Sequence, residues 1–335
     1  MESRPSISII IPTYNRAHLL PLTLDSFLAQ DYPGDLCEII VVDNNSKDNT
    51  GEVVSGYLGK AGIPIKYIFE QRQGVHYARN SAAKVTKGEI LFFTDDDMIA
   101  DSCLIKELVK VFEMDPMIGT ATGLVVGKFE VEPPEWVKRY LINSYLSLTA
   151  KNKQEDIVVS RIDCGVYSCH QAIKREVFFQ SGGFNPENTA GVWIGDGETG
   201  LNIKIHDLGY KFAYTSKSII QHIIPKSRTT LKYIINRVGN QGFCDSYTAY
   251  RKHRDRRKII PLMIKRNIVS IPGMLLNMLV RVVIGRLTWR FLPAKIVYFH
   301  KRNIYDLKLY ANGNFRKVVE IDDWINNDPP INFNK

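Results

Sequence analysis

Ile90-Leu91-Phe92-Phe93-Thr94-Asp95-Asp96-Asp97 is the stretch from which the rest of the chain is read. An apolar run, about the length of a buried strand, ends on three adjacent carboxylates. Adjacent carboxylates repel one another, and burying part of the cluster without a cation would raise their pKa values. A divalent cation resolves the conflict, because hard oxygen ligands suit Mg²⁺ or Mn²⁺. The plainer alternative is a solvated acidic turn, and the apolar strand in front of it argues against that.

Further apolar runs lie upstream, at residues 6–11, 38–42 and Ile65–Phe69. Helical spacing fills the gaps: Leu20, Leu24, Phe27 and Leu28 form an i, i+4, i+7, i+8 stripe, and Leu104, Leu108, Val111 and Phe112 repeat it. Strands alternating with helices imply an α/β fold whose mostly parallel sheet is covered on both faces. In such sheets ligands sit beyond the C-terminal ends of the strands. Polar clusters stand at three of those ends: Pro12-Thr13-Tyr14-Asn15-Arg16, Asp43-Asn44-Asn45-Ser46 and Asp95-Asp96-Asp97. Beyond them, strands are expected at 119–126 and 212–216, and a polar helix at 228–250.

Other candidates are open to two readings. Asp43 sits directly on a strand end, whereas Ser46 and Asp48 equally suit an Asx turn or a helix N-cap. Gly74 to Asn80 opens a helix whose Arg79, one turn in, could face a diphosphate or simply solvent. Glu198 follows Gly195-Asp196-Gly197 at a helix start, where an acid is commonly a cap. Trp193 could be core or could stack on a sugar. His222 is one of seven histidines.

Composition narrows the class. The chain has 335 residues, 44% hydrophobic and 24% charged, which excludes disordered, collagen-like and disulfide-scaffold chains. Five cysteines, an odd number without a C-x-x-C, suit a reduced cytosolic setting. Glu2 and Arg4 precede a short strand, so no secretory signal is expected. The net charge is +9, but residues 251–302 hold fourteen Lys/Arg and one acid, Asp255, so that segment carries +13 and the rest −4. It contains no nucleic-acid motif, and nucleic acid is not expected as a partner. Its apolar part, 267–285, is interrupted by Asn267, Pro272, Gly273, Asn277 and Arg281, which argues against a spanning helix. Mixed basic and apolar residues fit helices in an anionic membrane interface, or an amphipathic extension packed on the main domain. The tail after 320 is expected to be loose.

Taken together, these residues resemble the family-2 glycosyltransferases, inverting nucleotide-sugar enzymes of the GT-A fold. The resemblance covers roughly residues 6–225. It rests on Ser8-Ile9-Ile10-Ile11-Pro12-Thr13-Tyr14-Asn15-Arg16, Val41-Val42-Asp43-Asn44-Asn45-Ser46-Lys47-Asp48, Ala78-Arg79-Asn80, Asp95-Asp96-Asp97, and Glu198 with Leu201, Lys204 and Gly209-Tyr210. It implies a GT-A mixed sheet flanked by helices over 1–225, with nucleotide-sugar binding in 6–100 and the acceptor and catalytic part in 115–225. A basic amphipathic helical extension over 226–320 and a tail over 321–335 follow.

The resemblance also implies roles. Pro12, Thr13, Tyr14 and Arg16 would line the nucleotide pocket, Asp43 and Asn44 would face base and ribose, and Arg79 would lie near the phosphates. Asp95 and Asp97 match the outer acids of the family's D-x-D motif, with Asp96 close to the donor sugar or a metal-bound water. His222 matches a later histidine that completes coordination of Mn²⁺ or Mg²⁺. Glu198 matches the second acid of the E-D motif, the general base. Two departures stand out. Asn44 replaces a second aspartate, which leaves the base open among UDP (placed first), dTDP and GDP. Gly197 occupies the first E-D position, which makes Asp196 the runner-up base. The implied function is sugar transfer to a glycan or lipid-linked acceptor in cell-surface polysaccharide or glycolipid assembly, at the cytoplasmic face of the membrane. A sugar-nucleotide pyrophosphorylase and a non-catalytic nucleotide-sugar or glycan-binding module are the alternatives. The first lacks its glycine-rich, lysine-bearing loop here, and the second would be expected to lack the acids.

Overall fold

Three successive isoleucines, Ile9 to Ile11, suit an extended backbone buried on both faces. They form the middle of strand β1 (Ile7–Thr13), which is buried at every position. A computed structural model describes residues 4–60, 62–140, 145–149, 157–159, 165–189 and 191–327. Its remaining strands are β2 (Cys37–Asp43), β3 (Ile65–Phe69), β4 (Ile90–Thr94), β5 (Met98–Ala100), β6 (Ile118–Phe129), β7 (Ile157–Val159), β8 (His170–Lys174), β9 (Asn188–Thr189), β10 (Val192–Trp193) and β11 (Lys211–Ile224).

The large sheet runs β3-β2-β1-β4-β8-β6-β11-β5, with β7 paired to β11. Strands β3, β2, β1 and β4 are mutually parallel. Strand β8 is antiparallel to β4 and to β6. The sheet is therefore mixed, as the resemblance implies. Alternation decides which core each residue joins. Ile9, Ile11, Ile39, Val41 and Phe92 face one core, with helices α1 (Leu20–Leu28) and α4 (Leu104–Glu113). Ile10, Ile40, Val42, Leu91 and Phe93 face the other. That second core includes residues of α3 (Val75–Val85), α6 (Arg175–Gln180) and α7 (Glu198–Asp207). Two short helices, α2 (Thr50–Ser55) and α5 (Glu135–Tyr140), complete this part.

After β11 the chain is helical: α8 (Leu231–Arg251), α9 (Ile259–Lys265), α10 (Ile271–Val283), α11 (Phe291–Ala311) and α12 (Gly313–Val319). The expected interruption of the apolar stretch does not break it. A 3-10 turn, α9, a π-helical turn over Arg266–Ser270 and α10 follow without a gap, so the chain is helical from Arg256 to Val283. Helices α8 and α11 approach closely: a Cβ on Gly242 would lie 2.2 Å from the Tyr298 carbonyl oxygen.

The tail is not loose over residues 321–327. Trp324 and Ile325 are 4% and 3% exposed. The Trp324 amide donates to the Gly182 carbonyl at 2.8 Å. Asp322 accepts from Arg251, and from Arg254 at 2.5 Å. The aromatic and aliphatic side chains outweigh the loop-like composition that suggested disorder. Residues 328–335, and Cys164 among the cysteines, lie outside the described residues.

Candidate active site

A cleft of about 440 Å³ opens at the C-terminal ends of β1, β2 and β4, where the polar clusters were expected. Pro12, Thr13, Tyr14 and Arg16 line one side, Asn44 another, and Asp95, Asp96 and Asp97 the floor. The acids occupy the turn between β4 and β5, so the sheet itself holds them. A second cavity of about 180 Å³ adjoins the cleft, and Val75 and Asp95 line both. Glu198, His76, Arg79, Ser168 and Arg237 line its walls.

The acids differ in their partners. Asp96 is buried, and its Oδ1 accepts from Arg16 at 2.7 Å. Burial pushes its carboxyl up to about 6, against the pull of Arg16. Asp97 Oδ2 lies 2.9 Å from Arg16 Nη1, 3.1 Å from Arg228 Nη2 and 3.7 Å from His222 Nε2. Burial works to raise Asp97, but the hydrogen bond and charge of His222, with Arg228 and Arg16, outweigh it and hold the carboxyl down. Asp95 turns away from this group and accepts from Arg79 at 2.5 Å.

The expected metal set is therefore only partly assembled: Asp97 and His222 meet, and Asp95 is engaged elsewhere. Among the described residues no group of three or more His, Cys, Asp or Glu is arranged to hold a metal. Two donors nevertheless fit a divalent ion. Asp97 Oδ1 is buried with no hydrogen-bond partner among the described residues. His222 Nδ1 lies 2.9 Å from the Leu146 carbonyl. A carbonyl only accepts, so Nδ1 carries a proton, and Nε2 is the nitrogen turned towards Asp97, 2.6 Å from Arg228 Nη1, the orientation a ligating histidine takes.

Other expectations are corrected. Asp43 does not line the cleft: its Oδ1 accepts from the Ser46 amide and its Oδ2 from the Tyr67 hydroxyl, both at 2.8 Å. Asn44 does line it, but its amide is spent on the loop before α3. Nδ2 donates to the carbonyls of Glu70 (3.1 Å) and Arg72 (2.6 Å), and Oδ1 accepts from the Gly74 amide at 2.7 Å. Arg79 is buried in the second cavity, bridging Asp95 to Ser168 (2.9 Å), and does not line the first cleft. Trp193 joins neither cavity: it stacks on Phe243 with ring centres 5.5 Å apart and donates Nε1–H to the Gly195 carbonyl at 2.9 Å.

Glu198 begins α7 and accepts from both the hydroxyl and the amide of Ser168. Asp196 is fixed differently. It is buried, its two oxygens accept from Asn185 and from Thr248, each at 2.8 Å, and burial raises its carboxyl against those hydrogen bonds. Gly197 separates them with φ 57°, and a Cβ there would come 2.4 Å from His76 Nε2. An acid at that position would collide with the ring.

Sequence reading missed Arg228, Ser168, Glu187, His76 and Arg237 as site residues. Arg228 lies six residues past His222, on a 3-10 turn after β11, and that proximity was its one signal. Arg237, Gln241 and Cys244 come from α8 and follow one another along one face.

Comparison with known proteins agrees with this geometry. A family model described as Glycosyl transferase family 2 matches residues 8–180. The O-antigen chain rhamnosyltransferase RfbN of Salmonella typhimurium is 33% identical over 220 residues, 64% of this chain and 66% of that protein, just under two thirds of its length. The mannosyltransferase PcManGT of Pyrobaculum calidifontis, solved with GDP-Man and Mn²⁺, shares the fold with a TM-score of 0.58 at 20% identity, over 96% of this chain and 88% of that one. Residues 1–349 of S. aureus TarS, solved with UDP-GlcNAc, give 0.51 at 16% identity, over 96% and 89%. The acids at the end of β4, the mixed sheet that presents them and the match across 8–180 have one reading: the chain belongs to glycosyl transferase family 2.

Proposed function

We propose that this chain is an inverting glycosyltransferase that moves a sugar from a nucleoside-diphosphate sugar to a hydroxyl of a glycan or lipid-linked acceptor, in cell-surface polysaccharide or glycolipid assembly. One observation carries the reading. The cleft with the acids and the cavity with Glu198 share Asp95 and Val75, so a donor held in the first presents its anomeric carbon towards the second.

The chemistry follows from that junction. An acceptor hydroxyl in the second cavity gives its proton to Glu198 as its oxygen attacks the anomeric carbon in line. The bond to the diphosphate breaks on the opposite side, and its electron pair leaves with the nucleoside diphosphate. Ser168 donates to Glu198 and fixes its direction. Arg16 and Arg228 place positive charge where the diphosphate lies. Asp97 and His222 would hold Mn²⁺ or Mg²⁺, which neutralises charge on the departing diphosphate. A cytoplasmic site, on the side where nucleotide-sugar donors are met, is part of this reading. The alternatives are less favoured: neither a pyrophosphorylase nor a binding module calls for a carboxylate at this junction.

The test is thermal shift with UDP, dTDP and GDP sugars, with and without Mn²⁺, on wild type and Asp97→Ala. Stabilisation by one nucleotide class, dependent on Mn²⁺ and lost in the variant, is expected. Glu198→Gln is expected to keep that stabilisation while sugar transfer or donor hydrolysis falls by about a hundredfold or more. No stabilisation by any nucleotide sugar or nucleoside diphosphate would overturn the reading.

A further inference from the structure

The C-terminal helices carry both the excess positive charge and much of the exposed apolar surface. Residues 256–305 hold eleven Lys/Arg and no acid. The helical run Arg256–Val283 spans 28 residues, and its most apolar 18-residue window has a mean hydropathy of 1.4 with 6% of the window buried. Length and composition alone would let it cross a bilayer. Its packing argues for a different placement.

One side of the run is tied down along its length. Ile259 belongs to a packed cluster with Tyr247, Tyr250 and Tyr305. Arg266 donates to Asp306 at 2.6 Å, and Asn303 donates to Asn267 at 2.9 Å. Met278 is buried in a cluster with Phe291 and Tyr298. These anchors reach both ends and the middle, so the run lies along α11. The other side is bare. Leu276, Val280 and Val283 recur at i, i+4 and i+7 and are 66%, 51% and 85% exposed; Ile268 is 71% exposed. Contiguous exposed apolar surface of this kind marks an interaction site.

We propose that this face docks flat into the headgroup region of an anionic lipid bilayer, with the apolar stripe at the acyl boundary and the surrounding bases on lipid phosphates. Charge selects lipid over a second copy of the chain. A second copy on the same face would set bases such as Lys265, Arg281 and Arg286 against their own counterparts, with no acid within residues 256–305 to pair them, whereas anionic lipid complements them. Trp289 is also exposed, with the Arg290 guanidinium 4.9 Å from its ring centre, and such amphipathic aromatics favour the membrane interface. The docked layer rests on α11, α11 packs on α8, and α8 lines the Glu198 cavity. Docking therefore holds that cavity in a fixed relation to the lipid surface.

The experiment sediments the full chain with vesicles of phosphatidylcholine alone and of an equal phosphatidylcholine–phosphatidylglycerol mixture. At low salt, partition onto the anionic vesicles is expected to exceed that onto phosphatidylcholine by about tenfold or more and to fall as salt rises. The triple variant Leu276→Glu/Val280→Glu/Val283→Glu changes only exposed positions. It should stay in the supernatant with its melting temperature and nucleotide-sugar binding unchanged. Lys265→Glu/Arg281→Glu/Arg286→Glu should weaken partition by about a hundredfold or more, since each surface base contributes roughly fivefold. Three outcomes overturn the proposal: wild type that ignores anionic vesicles at low salt, pelleting that survives the Glu triple, or a dimer that the Glu triple dissociates. The readout is lipid, so its failure leaves the transferase reading standing.

Discussion

At the scale of single residues, two neighbouring acids have been given different work by their surroundings. Glu198 points into an open cavity and, among the described residues, is hydrogen-bonded to Ser168 alone, so its carboxylate can meet an incoming hydroxyl. Asp196 has both oxygens committed to Asn185 and Thr248. A Cβ on Gly200 would come 2.1 Å from Asp196 Oδ1, so the carboxylate is packed as well as bonded. Asp196→Ala is accordingly expected to cost about 1–3 kcal/mol of stability, because the buried Asn185 amide loses its acceptor. Below the melting range it should keep most of the transfer rate, whereas Glu198→Gln should keep the stability and lose the rate. Parallel denaturant melts and rate measurements separate the two; the reverse pattern would make Asp196 the base. Sequence spacing pointed to Glu198 but could not show why Gly197 precedes it. That reason is the His76 ring, 122 residues away from Glu198 in the chain and in contact only after folding. Asp43, Asn44 and Trp193 were legible as residue types suited to a nucleotide sugar. Their commitments to Tyr67, to the loop before α3 and to Phe243 are tertiary, and no local pattern announces them.

At the scale of elements, the strands that read most clearly were the four parallel ones, of which β1, β2 and β4 are buried at every position. Ile65–Phe69 and Ile90–Thr94 were placed to the residue, and β1 and β2 within two. Strand β8 was missed because His170-Gln171-Ala172-Ile173-Lys174 looks polar. Its polar groups are buried and only partly paired: Gln171 donates to Asn202 at 2.8 Å and His170 lies 2.9 Å from the Ser218 hydroxyl, while Gln171 Oε1 and His170 Nδ1 have no partner among the described residues. Helix α8 was found as a polar helix, and its importance to the site was not. The face with Arg237, Gln241 and Cys244 closes the Glu198 cavity. Arg237 lines that cavity with Glu187 and Glu198 near enough to raise its pKa against burial. It has no hydrogen bond or ion pair among the described residues. A guanidinium placed there is expected to serve the acceptor side. Arg237→Ala should raise the acceptor KM by about tenfold, the worth of one charge-assisted hydrogen bond, and leave the thermal shift with nucleotide sugar unchanged. An equal loss of donor binding would move Arg237 to the nucleotide side.

At the scale of the whole molecule, residues 321–327 close the fold instead of trailing from it. Trp324 and Ile325 fill the space opened by Gly182 and Gly183, where a Cβ would meet Asp323 Cα at 2.7 Å and Ile325 Cδ1 at 2.6 Å. The latch is electrostatic at its outer edge: Asp322 accepts from Arg251 and Arg254, and its backbone carbonyl accepts from Lys204 at 3.2 Å. The carboxyl of Asp322 is held below its usual value of 3.8: burial works to raise it, and Arg254 and Arg251 outweigh that. A depressed carboxylate contributes stability that is complete above the unfolded-state value and is lost as pH falls through the folded one. The latch should therefore hold at neutral pH and loosen only below about pH 4, with Asp322→Asn flattening that acid limb because Asn has no proton to gain. Trp324→Ala should cost about 3–5 kcal/mol at neutral pH, the usual range for emptying a buried aromatic site. Acid titration followed by near-ultraviolet circular dichroism reads both effects. If Trp324→Ala melts like wild type at neutral pH, residues 321–327 are an ornament on the surface. If it melts early while Asp322→Asn keeps the full acid limb, the apolar seat alone holds the tail and the arginine pair is solvated charge.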